Sequence, residues 1–472
     1  MSNKKSEIKF NFNNHLIDYQ SNLRGFDEKI FNEFNKKSED LNLFEKIKEL
    51  KDGKKVNLTE NKSARHMQQR EEYSFPNFGL ETFADINDPP ELYERDIKWD
   101  SSIDNKKPNT VNHDLSDINK IYKYKNIIVI GIGGSYEGPK LILEALRGPD
   151  LNYRIEFITG SDPEEFRYKT YNLKPEETCF FISSKSFTTD ETIENLKTAL
   201  NWSKDLGNFI AITSNRIEAE KYGIENILEF NNDIGGRYSI WSIISQPVFA
   251  GTNGEFFSFN EGGHIADKDL LENDKYLEFI KYLSFSDIYF NNQLNKNSRV
   301  VLSYNWRLRS FADYVQQLEM ESLGKIPFKD SEFQKTGQVI FGGYGPIAQH
   351  SFFQLMHQGT QELCADIIAV KDNSVAYAQA ITQSKLLSEG ADDLKEIEKI
   401  NGNIPTNLFI LNELNPTALG YLIATWEHRV YVTSVMLQIN AFDQFGVNAG
   451  KIYTKKYLCL LYTSDAADDC RC

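Results

Sequence analysis

Short apolar runs alternate with amphipathic stretches along most of the chain. Runs such as Ile127–Ile130 and Cys179–Ile182 are rich in β-branched and aromatic residues, which is typical of buried strands. The predicted strands cover residues 126–131, 154–159, 179–184, 208–213, 298–304 and 407–412. The predicted helices lie near residues 136–147, 189–205, 309–323, 350–364, 376–389 and 416–442. This alternation predicts an α/β fold in which helices flank parallel sheets.

Changes in composition predict where this pattern is divided. Residues 1–56 have helical spacing and residues 57–115 are polar and rich in loop-forming residues. Gly, Ser and Asn cluster in Phe256–Gly263, which favours a domain boundary there. The Asn/Lys/Ile-rich composition of the chain ends after Lys456. The predicted division is an N-terminal helical extension at 1–115, a first domain at 116–256, a second domain with a C-terminal helix at 257–457 and a foreign tail at 458–472. The alternative for residues 458–472 is a genuine short tail of this protein.

Composition and charge narrow the function classes. The 472 residues are 40% hydrophobic, enough for two packed domains, and the net charge of −15 comes without a basic stripe. Nucleic acid and anionic membranes are therefore poor partners. Cys179 and Cys364 show no zinc-ligand spacing, and the polar start is no signal peptide, so we expect a cytoplasmic protein. The apolar segment Thr417–Phe442 is interrupted by Glu427–Arg429, which favours a buried helix over a membrane span.

A glycine-rich turn, Gly131-Ile-Gly-Gly-Ser135, joins a predicted strand to a predicted helix. The start of a helix offers unpaired N–H groups and a positive dipole end, which suit a phosphate. Tyr136 stands where a dinucleotide fingerprint needs its third glycine, and the Walker lysine is missing. A phosphate-binding turn and a plain tight turn both remain open.

A second turn, Ser184-Lys-Ser-Phe-Thr-Thr-Asp-Glu-Thr192, also joins a strand to a helix. It carries four hydroxyl groups in six residues, which can bind phosphate oxygens without a metal. Thr188 and Glu191 have the spacing of a capping box. Simple N-capping is the alternative, although it needs only one hydroxyl.

Two further segments carry charged groups suited to catalysis. Arg237 follows Gly235 and Gly236, and glycines let a backbone approach a ligand closely. The Arg237 guanidinium could then stabilise an oxyanion. The alternative is an arginine on the surface of the protein. Gln317 and Glu321 are four apart on a predicted helix and share one face. A carboxylate there is a candidate general base, with a solvated helix face as the alternative. In the same run, Glu319 is expected to face the solvent.

The last candidates are a histidine and a lysine. His350 follows the loop 342–349 and opens an apolar segment, so it can face a cleft, although a lone histidine more often serves the core or the surface. Lys451 follows the segment 440–450 and lies seven residues after Gln444, so the two can share a helix face. A lysine favoured by the helix dipole is the alternative.

Taken together, these segments resemble the glucose-6-phosphate isomerase (phosphoglucose isomerase) family. The resemblance runs from Asn57-Leu-Thr-Glu60 to Lys451. It rests on six motifs in the family's order: Gly-Ile-Gly-Gly-Ser, Ser-Lys-Ser-Phe-Thr-Thr-x-Glu-Thr, Gly-Gly-Arg-Tyr-Ser-x-Trp-Ser, Met-Glu-Ser, Gln-His-x-Phe-x-Gln-Leu-x-His-Gln-Gly-Thr and Phe-Asp-Gln-x-Gly-Val-x-x-Gly-Lys. Six such motifs in one order do not arise by chance.

The resemblance implies two sugar-isomerase (SIS) domains, each a parallel sheet flanked by helices. It implies the reversible isomerisation of glucose 6-phosphate and fructose 6-phosphate, in glycolysis and gluconeogenesis, by ring opening and proton transfer through a cis-enediol. It further implies a homodimer with shared active sites, and neither a metal nor an organic cofactor.

The resemblance also implies residue roles. Glu321 is expected to carry the proton between C1 and C2, Arg237 to stabilise the enediolate, and His350 and Lys451 to assist ring opening. The expected substrate contacts are Ser184, Ser186, Thr189 and the backbone of Lys185 at the phosphate, and Gly134, Ser135, Gln317 and Gln444 along the sugar.

Departures from the family pattern leave rate and substrate preference less defined than reaction type. Tyr136-Glu-Gly-Pro139 stands where an Asp-Leu pair is common, Leu323 replaces a usual Asn, and the loop before His350 is unusual. Two alternatives therefore stay open. One is a related aldose–ketose isomerase that also acts on mannose 6-phosphate, and the other is a non-catalytic SIS protein that binds sugar phosphates.

Overall fold

The computed structural model describes residues 7–12, 14–74, 124–148, 153–249, 255–329 and 331–468. Its strands are β1 (Glu7–Asn11), β2 (Ile17–Asn22), β3 (Asn126–Ile130), β4 (Arg154–Ile158), β5 (Thr178–Ser183), β6 (Phe209–Thr213), β7 (Asn226–Glu229), β8 (Ser298–Ser303), β9 (Val339–Tyr344), β10 (Leu363–Val370) and β11 (Thr406–Leu411). Its α-helices are α1 (Glu28–Asp40), α2 (Leu43–Lys51), α3 (His66–Glu72), α4 (Glu137–Leu146), α5 (Pro163–Thr170), α6 (Asp190–Ser203), α7 (Arg216–Glu220), α8 (Glu255–Glu272), α9 (Asp274–Asn292), α10 (Phe311–Leu323), α11 (Gly345–Ala348), α12 (Phe353–Gln358), α13 (Val375–Glu389), α14 (Pro416–Leu437) and α15 (Phe445–Asp468).

The first sheet has five parallel strands in the order β4-β3-β5-β6-β7. Strands β3 and β5 are buried along their whole length because helices cover both faces. The chain moves from β3 outward to β4 and then returns to the other side of β3 as β5. Such a reversal of strand order opens a crevice at the carboxyl ends of β3 and β5.

The second sheet has six strands in the order β1-β2-β11-β10-β8-β9. Strands β8, β9, β10 and β11 pair in parallel, whereas β2 pairs antiparallel with β11 and β1 antiparallel with β2. The N-terminal segment therefore contains two strands as well as the helices expected there. Its extension of this sheet was not predicted from the sequence.

The six strands predicted from apolar runs are confirmed, with their ends shifted by at most one residue. The helix predicted near 350–364 is wrong over most of its length. Only Phe353–Gln358 is helical, and Leu363 already begins β10, a central strand of the second sheet. A strand buried on both faces is a continuous apolar run, and periodicity cannot distinguish such a run from a buried helix.

The predicted boundary at Phe256–Gly263 lies within α8 rather than in a linker. Its glycines serve close helix packing: a Cβ on Gly262 would overlap the carbonyl oxygen of Thr417 at the start of α14. In the reverse direction, a Cβ on Gly420 would overlap the carbonyl oxygen of Phe259. The backbones of α8 and α14 thus approach each other closely, which only glycine allows. The division into domains and the foreign tail at 458–472 stay predictions, with α15 continuing to Asp468.

Helix α14 is a buried helix, as predicted, because its charged residues are paired inside the protein. Glu427 accepts a hydrogen bond from Arg70 at 2.6 Å, and Arg429 binds Asp287 and Asp366 at 2.7 Å each. Burial raises the pKa of Glu427 to about 7, although the charge of Arg70 opposes this shift. Among the described residues, no helix has the length and apolarity needed to cross a membrane.

Gly420→Ala should destabilise the fold by about 2–3 kcal/mol, measured as the free energy of unfolding in urea. Alanine gains about 1 kcal/mol of helix propensity, but its methyl group overlaps a backbone oxygen that cannot move away cheaply. Gly148→Ala, whose Cβ would enter open space, is the control and should stay within about 0.5 kcal/mol of the wild type. Equal stability of the two variants would contradict the packing described here.

Candidate active site

Both turns predicted from the sequence lie at the carboxyl edge of the first sheet. The glycine turn, Gly131–Ser135, follows β3, and the hydroxyl turn, Ser184–Thr189, follows β5. Because these two strands are hydrogen-bonded neighbours, the turns lie side by side at the crevice where strand order reverses.

The glycine turn packs directly on the segment that carries Arg237. A Cβ on Gly134 would overlap the carbonyl oxygen of Gly236, and the Ser239 hydroxyl donates to that same oxygen at 2.7 Å. Gly133 has a positive φ of 60°, which favours glycine, and a Cβ there would come within 3.0 Å of Nε2 of Gln317. The glycines therefore allow a tight turn to pack against the backbone of Gly236 and the side chain of Gln317.

Arg237 is buried and connects three parts of the site. Its Nε donates to the Ser322 hydroxyl at 2.7 Å, and its Nη1 donates to Gln444 Oε1 at 2.9 Å and to Glu321 Oε2 at 3.3 Å. Its Nη2 donates to the carbonyl oxygens of Ala441 and Asp443. These five acceptors satisfy a buried guanidinium that would otherwise be costly to bury. They hold its planar fork beside a carboxylate.

Helix α10 supplies the carboxylate and an amide from one face, as the spacing predicts. Gln317 Nε2 donates to Glu321 Oε2 at 3.4 Å, so one oxygen of Glu321 accepts from both Gln317 and Arg237. The Glu321 side chain is 28% exposed, which leaves it accessible from the crevice. The solvated-face alternative does not describe this geometry.

The expectation that Glu319 faces the solvent is wrong. Glu319 is only 3% exposed, forms a buried ion pair with Arg299 of β8 and accepts a hydrogen bond from the Trp426 indole at 2.8 Å. Successive helical residues are about 100° apart, so Glu319 and Glu321 lie on well-separated faces of α10. Anchoring Glu319 inside the protein directs Glu321 outward to the crevice.

Several residues beside Arg237 were not predicted as part of a site. Ser322 accepts from Arg237 and lies 3.0 Å from the Tyr238 hydroxyl, while Lys325 forms an ion pair with Asp443. The available signal was that Ser322, Tyr238 and Asp443 lie inside the motifs Met-Glu-Ser, Gly-Arg-Tyr-Ser and Phe-Asp-Gln, and that Lys325 follows the first of them by three residues. Sequence spacing could not show that these three segments meet.

In the hydroxyl turn, no side chain caps the following helix. Thr189 is the N-cap residue of α6 and makes no side-chain cap bond, while the Thr188 hydroxyl donates to Ser186 at 2.8 Å. The predicted capping box of Thr188 and Glu191 is therefore wrong. Ser184 accepts from the backbone N–H of Phe187, whose φ of 53° makes the turn tight. The start of α6 thus stays open to an external anion.

Lys185 ties the hydroxyl turn to the arginine segment. Its Nζ donates to the carbonyl oxygen of Ile234 at 2.8 Å, three residues before Arg237. Burial lowers the pKa of Lys185 to about 8, and the nearby charge of Lys62 acts in the same direction. The hydroxyl turn and the arginine segment are thereby held at a fixed separation.

The structure places His350 and Lys451 on exposed segments. His350 lies in the turn between α11 and α12 and, within the described residues, its side chain has no hydrogen bond or ion pair. Lys451 lies on α15, which starts next to Gln444, and Lys455 one turn later lies 3.3 Å from Asp190 at the start of α6. Helix α15 therefore runs from the cluster of Arg237, Glu321, Ser322 and Gln444 toward the hydroxyl turn. Lys451 lies between the two. No described contact brings His350 to this cluster.

The arrangement suits acid–base chemistry on a phosphorylated substrate. It combines a positioned carboxylate, a fixed cation and a hydroxyl-lined helix start at one edge of a sheet. In the described part of the chain, no group of three or more His, Cys, Asp or Glu residues is arranged to hold a metal ion.

Comparison with known proteins agrees with this chemistry. The model of a family described as phosphoglucose isomerase matches residues 18–470. A glucose-6-phosphate isomerase of Ectopseudomonas mendocina (strain ymp) is 33% identical over 92% of this chain and 84% of its own length. One from Wigglesworthia glossinidia brevipalpis is 33% identical over 94% of this chain and 86% of its own length.

The fold also matches a solved structure. A glucose-6-phosphate isomerase from Chlamydia trachomatis D/UW-3/Cx superposes with a TM-score of 0.78 at 22% sequence identity, over 96% of this chain and 90% of that chain. At this identity the match supports the architecture of two helix-flanked sheets.

Replacing Ser186 and Thr189 together by alanine should weaken the binding of inorganic phosphate by about a hundredfold or more, measured by calorimetry. Each charge-assisted hydrogen bond lost to a phosphate is worth about 1.5–3 kcal/mol. Thr198→Ala is the matched control, because this exposed threonine of α6 bonds only to its own helix. Unchanged affinity in the double variant would place the phosphate elsewhere.

Proposed function

This chain belongs to the phosphoglucose isomerase family, and from that we propose how it interconverts glucose 6-phosphate and fructose 6-phosphate. The enzyme is an aldose–ketose isomerase of glycolysis and gluconeogenesis. The phosphate group of the substrate is held by the hydroxyl turn and by the backbone of Lys185. The sugar extends from there along Gly134 and Ser135 toward Glu321.

The chemistry begins with opening of the sugar ring. His350 acts on the ring oxygen and Lys451 assists from α15. In the open aldose, the Glu321 carboxylate takes the proton from C2, and the electrons of that C–H bond form a C1–C2 double bond. The negative charge moves to the oxygen on C1, giving a cis-enediolate. The hydroxyl proton on O2 passes to the oxygen on C1, and delivery of the proton held by Glu321 to C1 leaves the carbonyl at C2, which gives the ketose.

The observation that carries this proposal is the environment of the Glu321 carboxylate. One of its oxygens is held 3.3 Å from Arg237 and 3.4 Å from Gln317, while the side chain stays partly exposed to the crevice. A general base needs such an orientation, and a fixed guanidinium beside it stabilises the charge that develops on the substrate oxygens. Gln444, which bonds to Arg237, completes the substrate contacts.

The alternatives are less well supported. A non-catalytic sugar-phosphate-binding protein has no use for a buried arginine held beside a carboxylate. Activity on mannose 6-phosphate depends on contacts at C2, where the two sugars differ. The proposed location is the cytoplasm, based on buried Cys179 and Cys364 and on the family's metabolic role.

Glu321→Gln should lower kcat by about 10²–10⁴ while leaving KM nearly unchanged, because the amide keeps the shape but cannot accept the proton. Incorporation of solvent deuterium at C2 should be lost to the same extent. Glu332→Gln, an exposed acid-to-amide change, is the control and should keep full activity. Deuterium exchange retained in Glu321→Gln would assign the base to another residue.

A homodimer with shared sites is also part of the proposal. His350 is exposed, as are the apolar side chains of Ile347 and Leu355 on the two helices that flank it. Trp306 is exposed as well, and its ring packs against Tyr344, which directly precedes α11. Such apolar groups are typical of surfaces that bind another protein. If a second copy covers this surface, the His350 of one chain serves the site whose Glu321 belongs to the other.

Mixing tests this sharing. Glu321→Gln and His350→Ala should each be nearly inactive alone. Reversible dissociation and reassociation of an equal mixture should restore about a quarter of all active sites. This follows because about half of the dimers then contain both variants, and each of these mixed dimers holds one intact site. Each variant dissociated and reassociated alone is the control. Mixed dimers confirmed by mass without any recovered activity would reject shared sites.

A further inference from the structure

A largely buried ion pair lies next to Arg237, and none of the proposed reaction steps uses it. Lys325 follows Gly324, the C-cap residue of α10, and its Nζ lies 2.8 Å from Oδ1 of Asp443. The Lys325 side chain is 13% exposed and that of Asp443 is 9% exposed. A pair with this little exposure keeps both charges only when its hydrogen bonds are satisfied.

The pair is joined to the site through one carbonyl group. The Asp443 carbonyl oxygen accepts hydrogen bonds from both Lys325 Nζ and Arg237 Nη2. Gln444 comes next in the chain and also accepts from Arg237, while Glu321 lies one helical turn before Lys325. The two cations therefore hold the segment Asn440–Gln444 against the end of α10.

The Asp443 carboxylate is held by three side-chain donors other than Arg237. Its Oδ1 accepts from Lys325, and its Oδ2 accepts from the Thr59 hydroxyl at 2.7 Å and from Asn440 Nδ2 at 3.0 Å. Burial alone would raise the pKa of Asp443, but the hydrogen bonds from Lys325 and Thr59 hold it below its usual value. The carboxylate thus stays charged, and Lys325 neutralises it.

We propose that Lys325 is a positioning residue for the isomerisation, a role that rests on the proposed function. It neutralises Asp443, so that this carboxylate does not draw the Arg237 guanidinium away from the substrate oxygens. It also fixes the segment that carries Gln444 relative to Glu321. Without Lys325, an unpaired carboxylate would lie on the residue whose carbonyl oxygen already binds Arg237, and the positive charge available to the enediolate would fall.

A comparison of Lys325→Met, Asp443→Asn and the double variant tests this role. Lys325→Met should lower kcat about ten- to a hundredfold, with KM and the inhibition constant of inorganic phosphate within about threefold of wild type, because the phosphate is held by another turn. The double variant removes both charges and should recover kcat to within about threefold of Asp443→Asn. The control is Lys37→Met, which breaks an exposed ion pair of similar length, 2.7 Å to Glu332, and should keep full activity.

A merely structural role predicts additive losses in the double variant together with lower thermal stability, and that result would overturn the proposal. So would a folded Lys325→Met with wild-type kcat. If Lys325→Met does not fold, the double variant decides, since a kcat more than about tenfold below that of Asp443→Asn contradicts the inference. A wild-type protein that does not isomerise fructose 6-phosphate rejects the proposed function itself, whereas an active wild type with an equally active Lys325→Met rejects only the positioning role.

Discussion

The site depends on the burial of one guanidinium group. Arg237 reaches the end of α10, the Ala441–Gln444 segment and the Glu321 carboxylate with a single planar fork. Burying this charge is favourable only because every acceptor is present, so the segments that supply them are held in one arrangement. The glycine turn after β3 can pack on this arginine segment only because Gly134 has no side chain.

Helix α10 shows how the core sets the direction of the proposed base, Glu321. Glu319 is buried in an ion pair with Arg299, and its second oxygen accepts from Trp426. Rotation of the helix would break this buried pair, which is strongly unfavourable because it leaves an unpaired charge in the core. The same anchoring keeps Gln317 and Glu321 at the crevice, so the electrostatics of the core and the placement of the proposed base are coupled.

Sequence patterns predicted secondary structure better than they predicted contacts between segments that are far apart in the chain. The apolar runs that form β3 and β5 located both turns, because strands covered by helices must be apolar. The same rule misplaced β10, whose apolar run resembles a buried helix. Charge suggested an exposed Glu319, and only its tertiary partner Arg299 explains its burial. The ion pair of Lys325 with a residue 118 positions away has no local signature.

The most direct test of this account is Arg237→Lys, which keeps the charge but removes the fork that reaches several acceptors at once. We expect a folded protein whose kcat is about 10²–10³ lower, while the inhibition constant of inorganic phosphate stays within about threefold of wild type. A folded Arg237→Lys with kcat within about threefold of the wild type would contradict the central role given to this guanidinium.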